Sequence, residues 1–338
     1  AFLAGAFYAC SALLCKRGLE LGAGTVRSLL FSNWIMALFF IPCPFIEGSI
    51  PTMNDVQSGV LLGSIFFLSQ TACFFALEKG DASMVTPIMG AKSIFVAFFV
   101  LLLGLSGTPS QATWIAVTLA AVAVALIGWP ARGGKVSFMA IGLGLLTAAG
   151  FGLTDAMVPS LAQQSTPSHV VSIMFLTVGS ASTLLFPLVR GTFFKIRKKA
   201  DIWMFASCIP MGIQAVLMSI AIAFYQVPAE ANVFYACRGI WTVILASWIG
   251  TRIGLKEGEM NKPVRIRRLL GASLLILGIY FAPLNQNSQE RKFQEMLISI
   301  LQQVLRLIFP SGFRKLYFLL QVEEFEKSSS AEIFFLHL

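Results

Sequence analysis

Two positively charged side chains, Lys92 and Arg238, lie inside long apolar segments of the chain. Their surroundings correspond, because Met89-Gly-Ala-Lys92 aligns with Tyr235-Ala-Cys-Arg238 at a constant offset along the sequence. A cation in the core of a bilayer costs about 2.5–3.5 kcal/mol on insertion scales unless it meets a partner or water. Two cations at corresponding positions predict a central cavity in which they bind an anionic group of a substrate.

A second interpretation of the same two cations is structural. Each could pair with a buried carboxylate and lock two helices together, and Glu230 and Asp155 are available as partners. The sequence leaves both interpretations open.

Other side chains share a helix face or a corresponding span with the cations. Aromatic rings beside a cation could hold a planar or positively charged part of a substrate, and amides could bind substrate or join two helices. The alternative for each of them is ordinary helix packing. The predicted substrate-binding set is Lys92, Arg238, Tyr235, Trp241, Phe95, Gln70 and Gln214.

Two carboxylates are candidates for proton coupling. Glu230 follows Val227-Pro228-Ala229 at the start of an apolar span, and Asp155 lies in the sixth span. A proton-coupled carrier needs a carboxyl group that takes up and releases protons near neutral pH. The alternative for Glu230 is an acid stabilised by the N-terminus of its own helix.

Metal, disulfide and cofactor chemistry have little support in the sequence. The six cysteines form no CxxC pair, and two histidines are too few for a histidine-based metal cluster. We therefore expect no metal and no cofactor. We also expect no nucleic-acid partner, since the basic residues behind the formal charge of +9 lie between apolar segments.

The elements that carry these residues are predicted to be transmembrane helices. The composition is 57% hydrophobic and 12% charged, with a mean hydropathy of +0.78. Residues 93–131, 156–189 and 202–229 contain no charged side chain, and one crossing needs about 20 apolar residues. Ten spans are predicted, at 1–15, 25–46, 57–77, 83–105, 110–129, 136–158, 168–189, 202–224, 230–250 and 267–284.

The ten spans divide into two halves that resemble each other. Gly5 to Lys16 in span one and Gly144 to Asp155 in span six both run from a glycine to a charge, and spans four and nine correspond around Lys92 and Arg238. An odd number of spans per half makes the second half inverted. We predict an all-α polytopic membrane protein with a first five-helix repeat at 1–130, its first helix clipped, and a second at 136–284.

The distribution of Lys and Arg predicts the orientation. The connections after spans one, three, five, seven and nine contain Lys and Arg, whereas the even-numbered connections contain none. The odd connections are therefore predicted to be cytoplasmic, and both ends of the ten-span core to face outward. Residues 285–338 are predicted to form a tail with an amphipathic interfacial helix, or an extension without a role.

The chain resembles the EamA-type members of the drug/metabolite transporter superfamily over about residues 1–284. The resemblance is carried by Lys16, Arg27, Ala76-Leu77, Val85-Thr86-Pro87-Ile88, Met89-Gly90-Ala91-Lys92 and Arg238-Gly239-Ile240-Trp241. Two features depart from that family: Leu105 follows Gly104 where Gly-Glu is frequent, and the family's termini are usually drawn in the cytoplasm.

The resemblance implies a secondary transporter, not an enzyme, in the bacterial inner membrane. We expect it to export a small anionic or zwitterionic metabolite by alternating access, with proton coupling or exchange. Its expected partners are that substrate, the lipid bilayer and, as one option, a second copy of the chain. The alternatives are a non-transporting membrane sensor or assembly protein, and an efflux carrier for cationic drugs.

Overall fold

The chain forms α-helices in nearly all of its described length. The computed structural model describes residues 1–46, 49–79, 88–89, 91–105, 110–128, 138–189, 198–245, 252–253 and 262–281, and contains no strand within them. The predicted interfacial helix of the tail and the segment Val85-Thr86-Pro87, part of the family resemblance, lie outside the described residues.

Eleven α-helices follow one another along the described residues, and we number them in chain order. They are α1 (Phe2–Glu20), α2 (Thr25–Phe40), α3 (Met53–Lys79), α4 (Lys92–Leu102), α5 (Gln111–Gly128), α6 (Phe138–Gln163), α7 (Pro167–Ser182), α8 (Lys198–Ser219), α9 (Pro228–Tyr235), α10 (Arg238–Leu245) and α11 (Lys262–Phe281). Short 3₁₀ turns at Cys43–Ile46 and Thr183–Leu188, and a π-helical turn at Ile220–Phe224, extend three of them.

The protein is an integral membrane protein by the length and apolar character of its helices. Six segments of the described part of the chain are long and apolar enough to cross a bilayer: Phe2–Glu20, Thr25–Phe45, Met53–Ala76, Phe138–Gln163, Pro167–Leu188 and Lys199–Phe224. Three apolar helices are shorter, at Lys92–Leu102, Gln111–Ile127 and Leu270–Ile279. Large apolar side chains such as Leu68, Leu184 and Ile202 face outward, as expected for side chains in contact with lipid.

Small residues allow the helices to pack closely. A Cβ on Gly63 of α3 would lie 2.5 Å from the carbonyl oxygen of Met174 on α7, and one on Gly278 of α11 would lie 3.1 Å from that of Ala116 on α5. Helix association in a membrane depends on such close backbone contacts, because apolar side chains gain little by leaving lipid. Gly59 and Gly63 are therefore packing residues, as their spacing indicates.

Two predicted spans are interrupted where the sequence suggested continuous helices. The predicted span 230–250 consists of α9 and α10, with a break at Ala236 and Cys237, and α4 begins at Lys92 inside the predicted span 83–105. Within the predicted span 25–46 the regular helix α2 ends at Phe40, and the 3₁₀ turn Cys43–Ile46 follows, because Pro42 and Pro44 cannot continue a regular helix. Lys92 and Arg238 thus each lie at the first residue of a helix.

Substitution of Gly63 tests the contact between α3 and α7. Gly63→Ala should destabilise the protein by about 1–3 kcal/mol, because the new methyl group meets backbone and the side chain of Thr177. Thermal unfolding of the detergent-purified protein measures the loss.

The matched control is Gly142→Ala in α6, where a Cβ meets nothing within 4 Å. This variant should keep its stability or gain about 0.5–1 kcal/mol, as alanine does at open helix positions. Equal stability of the two variants would contradict the described packing of α3 on α7.

Candidate functional site

Helices α1 and α6 approach the two interruptions closely, and glycines make this possible. A Cβ on Gly5 would lie 3.1 Å from the backbone nitrogen of Arg238 and 3.2 Å from the carbonyl oxygen of Tyr235. A Cβ on Gly152 would lie 2.7 Å from the Cβ of Phe95 on α4. Any larger residue at these positions would push α1 or α6 away from the helix that carries the cation.

Lys92 forms a compact ion pair with Asp155. Its Nζ lies 2.6 Å from Asp155 Oδ2, and the two side chains are 15% and 11% exposed. The amide of Asn232 also donates a hydrogen bond to Asp155 Oδ2, at 2.8 Å. Asp155 therefore neutralises Lys92 and connects α4, α6 and α9.

Asn232 is itself held in place by the start of its helix. Its Nδ2 donates a second hydrogen bond, of 2.8 Å, to the carbonyl oxygen of Pro228, four residues earlier in α9. Asn232 is buried, so both contacts form in an apolar environment where hydrogen bonds are strong. The amide thus fixes the carboxylate that faces Lys92.

Arg238 contacts aromatic rings. Its guanidinium carbon lies 4.7 Å from the ring centre of Tyr235 and 5.0 Å from that of Tyr8, and these two rings meet edge to face at 5.9 Å. Among the side chains that the structure describes, no carboxylate lies within ion-pair distance of Arg238. Its positive charge therefore faces the electron-rich faces of two rings.

The two cations meet at one tyrosine. Lys92 Nζ lies 5.7 Å from the ring centre of Tyr235, the ring that Arg238 also contacts. The ring of Phe151 on α6 lies 5.8 Å from Lys92 Nζ. The described charges of this cluster, from Lys92, Asp155 and Arg238, amount to one net positive charge.

The other four predicted binding residues have different surroundings. Trp241, one turn after Arg238, packs edge to face on Phe2 at 5.6 Å. The ring of Phe95 packs on Phe99 at 6.3 Å. Gln70 Oε1 is buried and accepts no hydrogen bond from the described residues. Gln214 lies half-buried on α8, and no described contact connects it with the cations.

Glu230 lies apart from the cation cluster. Its Oε1 accepts a hydrogen bond of 3.2 Å from the hydroxyl of Thr113 on α5. Glu230 is in the first turn of α9, where the helix N-terminus favours a negative charge. Of the two predicted proton-coupling candidates, Asp155 is the one in contact with the predicted substrate-binding residues.

The sequence analysis did not predict three residues of the cluster: Tyr8, Phe151 and Asn232. Tyr8 and Phe151 are ordinary aromatic residues within apolar helices, so no local signal distinguishes them from packing residues. Asn232 did carry a signal, because an amide within an apolar span needs a hydrogen-bond partner.

Within the described residues, no group of three histidine, cysteine or acidic side chains could hold a metal ion.

Comparison with known proteins adds information about the fold alone. No protein-family model and no curated protein matches the chain. A solved structure described as a crystal structure of a protein has a TM-score of 0.65 and 14% sequence identity, over 83% of this chain and 94% of that chain. The helical arrangement therefore also occurs in a solved protein of very different sequence.

Removing the charge of Asp155 tests the ion pair. Asp155→Asn should destabilise the protein by about 3 kcal/mol, because Lys92 then keeps a buried charge without its carboxylate. The double variant Lys92→Met/Asp155→Asn should recover most of this loss. Thermal unfolding of the four members of this double-mutant cycle gives the coupling between the two side chains.

The control pair is Arg17 and Glu20, which lie 3.3 Å apart at the surface. Glu20→Gln should cost less than about 1 kcal/mol. Additive losses for Lys92→Met and Asp155→Asn, with no coupling, would contradict the described ion pair.

Proposed function

We propose that the protein is a secondary transporter that moves a small anionic or zwitterionic metabolite across the membrane by alternating access. The observation that supports this most strongly is the environment of Arg238. It combines a permanent cation, two aromatic rings and no described carboxylate partner, at an interruption of a helix. An anionic ligand would supply the negative charge that the described side chains do not place beside Arg238.

The position of both cations at helix starts strengthens this argument. The N-terminus of a helix carries a partial positive charge, so acidic side chains are normally found there and cations at the opposite end. Lys92 and Arg238 are the first residues of α4 and α10. Each therefore adds positive charge to a helix start, an arrangement that a nearby anion stabilises. Asp155 is that anion for Lys92. For Arg238 we propose that it is the substrate.

The two cations consequently have different roles in our proposal. Arg238 binds the carboxylate or phosphate of the substrate, for which its planar, bidentate guanidinium is suited. Lys92, neutralised by Asp155, positions α4 against α6 and contributes to substrate binding when that pair opens. Gln70 Oε1, a buried acceptor without a described donor, is available for an ammonium group of a zwitterionic substrate.

We further propose that the chain contains ten transmembrane spans in two inverted repeats, residues 1–130 and 136–284. The helix contacts support this, because helix pairs in contact have counterparts among the corresponding helices of the two halves. Contacts of α1 with α8 and with α10 have counterparts in those of α6 with α3 and with α4. In inverted-repeat transporters the substrate binds near the midplane, at interrupted helices between the repeats.

The resemblance to EamA-type transporters agrees with this proposal, and export from the bacterial cytoplasm across the inner membrane is its expected direction. Asp155 is our candidate for proton coupling, because its protonation would release Lys92 for the substrate. Glu230, bonded to Thr113, is the second candidate.

Ligand-induced stabilisation of the purified protein tests the proposed substrate class. Amino acids, dicarboxylates and phosphorylated metabolites should include a ligand that raises the melting temperature. At one hundred times its Kd, a ligand stabilises the native protein by about 2.7 kcal/mol. Arg238→Gln should lose this stabilisation, because the amide has no positive charge.

Two controls separate the roles of the charged residues. Arg267→Gln replaces another arginine, which donates a hydrogen bond of 3.2 Å to the carbonyl oxygen of Leu126, and should keep the ligand response. Lys92→Met/Asp155→Asn should also respond to an anionic ligand. Stabilisation of Arg238→Gln by the same anions would contradict the proposal. Stabilisation of the wild type by cations alone would favour an efflux carrier for cationic drugs.

A further inference from the structure

A buried acid–base pair lies at the starts of α3 and α7. Thr52 donates from its backbone nitrogen and its hydroxyl to Asp55 Oδ2, at 2.6 and 2.7 Å. The backbone nitrogen of Thr166, just before α7, donates to Asp55 Oδ1 at 2.9 Å. Asp55 is completely buried. Its carboxylate therefore joins the start of α3 to the start of α7.

His169, in the first turn of α7, completes this corner. Its Nδ1 lies 3.5 Å from Asp55 Oδ2, and its Nε2 lies 3.3 Å from the carbonyl oxygen of Pro44. The side chain is 1% exposed. Both ring nitrogens thus face oxygen acceptors. At 3.5 Å from Asp55 Oδ2, Nδ1 makes no hydrogen bond. A neutral imidazole turns one unprotonated nitrogen towards an oxygen whichever tautomer it adopts, whereas an imidazolium has an N–H on both nitrogens, so the protonated ring is the form that suits both neighbours.

A corresponding pair lies at the start of α8. Arg27 of α2 donates from both terminal nitrogens to the two carboxylate oxygens of Asp201, with Nη2 at 3.1 Å from Oδ2. Asp55 and Asp201 are separated by the same offset as Lys92 and Arg238. Each acid lies in the first turn of its helix, and each basic partner lies in the first turn of α2 or α7.

The two pairs differ in one chemical respect. Arginine keeps its charge at every physiological pH, whereas histidine titrates near neutrality when nothing perturbs it. Each pair joins a helix of the first half to a helix of the second half. One of these connections is therefore permanent and the other can depend on protons.

We propose that Asp55 and His169 form a proton-binding site that fastens the two halves at one end of the bundle. A proton from water on that side binds the imidazole ring, and the resulting imidazolium bridges Asp55 and Pro44. Loss of the proton leaves one of these contacts unmade and loosens the joint between α3 and α7. This inference rests on the proposed function, in which the two halves move, and on the Lys/Arg distribution, which places this end outside.

The neighbourhood of His169 contains few other titratable groups. On the packed elements, Asp55 is the described charged side chain that contacts the ring. The thiol of Cys43, on the 3₁₀ turn that contains Pro44, lies near Ser172, one turn further along α7. Ser168 and Ser172 beside the ring are uncharged.

Thermal unfolding at two pH values, without any substrate, tests the site. Protonation of the ring stabilises the fastened state. The contribution of His169 to the free energy of unfolding is therefore present at low pH and lost as the pH rises. The wild type should melt at a higher temperature than His169→Gln. This difference in melting temperature should be about 2–4 °C larger near pH 5.5 than near pH 8. Arg27→Gln should be destabilised equally at both pH values.

A second measurement needs no substitution. Hydrogen exchange of the wild-type amide of Thr166, corrected for intrinsic rates, should show roughly tenfold greater protection near pH 5.5 than near pH 8. A loss in His169→Gln that is the same at both pH values, or pH-independent protection of Thr166, would overturn the inference. Neither result depends on whether the protein binds or transports a metabolite.

Discussion

The cost of a charge in an apolar interior is the constraint on which this structure depends. The two cations of the candidate site, Lys92 and Arg238, each meet that cost differently. Lys92 does so through Asp155 and the amide of Asn232. Arg238 does so through the rings of Tyr8 and Tyr235. The ion pair satisfies both of its charges, whereas ring contacts neutralise nothing. The remaining positive charge is what makes this cluster a binding site in our proposal.

The helix arrangement serves to bring these groups together. Gly5 and Gly152 allow α1 and α6 to approach the helix interruptions within contact distance of the backbone or of a Cβ atom. These two helices also carry Tyr8, Phe151 and Asp155, the side chains that surround the cations. Gly5 and Gly152 thus permit both the close helix packing and the contacts that compensate the charges.

Much of this architecture could be predicted from the sequence. The helical membrane character followed from apolar stretches of sufficient length, and Lys92 and Arg238 were visible because a charge within such a stretch is rare. The structural interpretation applies to Lys92, which has Asp155 as its carboxylate partner. For Arg238, which has no such partner among the described side chains, the substrate-binding interpretation stays a proposal. Sequence spacing could not show which of the two cations pairs with a carboxylate, because that depends on which helix lies beside Asp155 in the fold.

Other features could not be predicted for physical reasons. The break before Arg238 consists of Ala236 and Cys237, neither of which is a proline or a glycine, so local propensity does not indicate it. Tyr8 joins Arg238 through tertiary contact alone, although more than two hundred residues separate them in the sequence. His169 and Asp55 lie in two separate polar stretches of the sequence, and their relation emerges from the packing of α3 on α7.

Solute counterflow in proteoliposomes tests the central claim most directly. Vesicles with purified wild-type protein and a high internal concentration of an anionic or zwitterionic metabolite should accumulate the same radiolabelled metabolite from outside. Vesicles with Arg238→Gln should show exchange reduced to the level of protein-free vesicles, while Arg267→Gln retains wild-type exchange. Equal exchange by wild type and Arg238→Gln would contradict the account, because the cation without a described counter-ion would then have no part in binding the substrate.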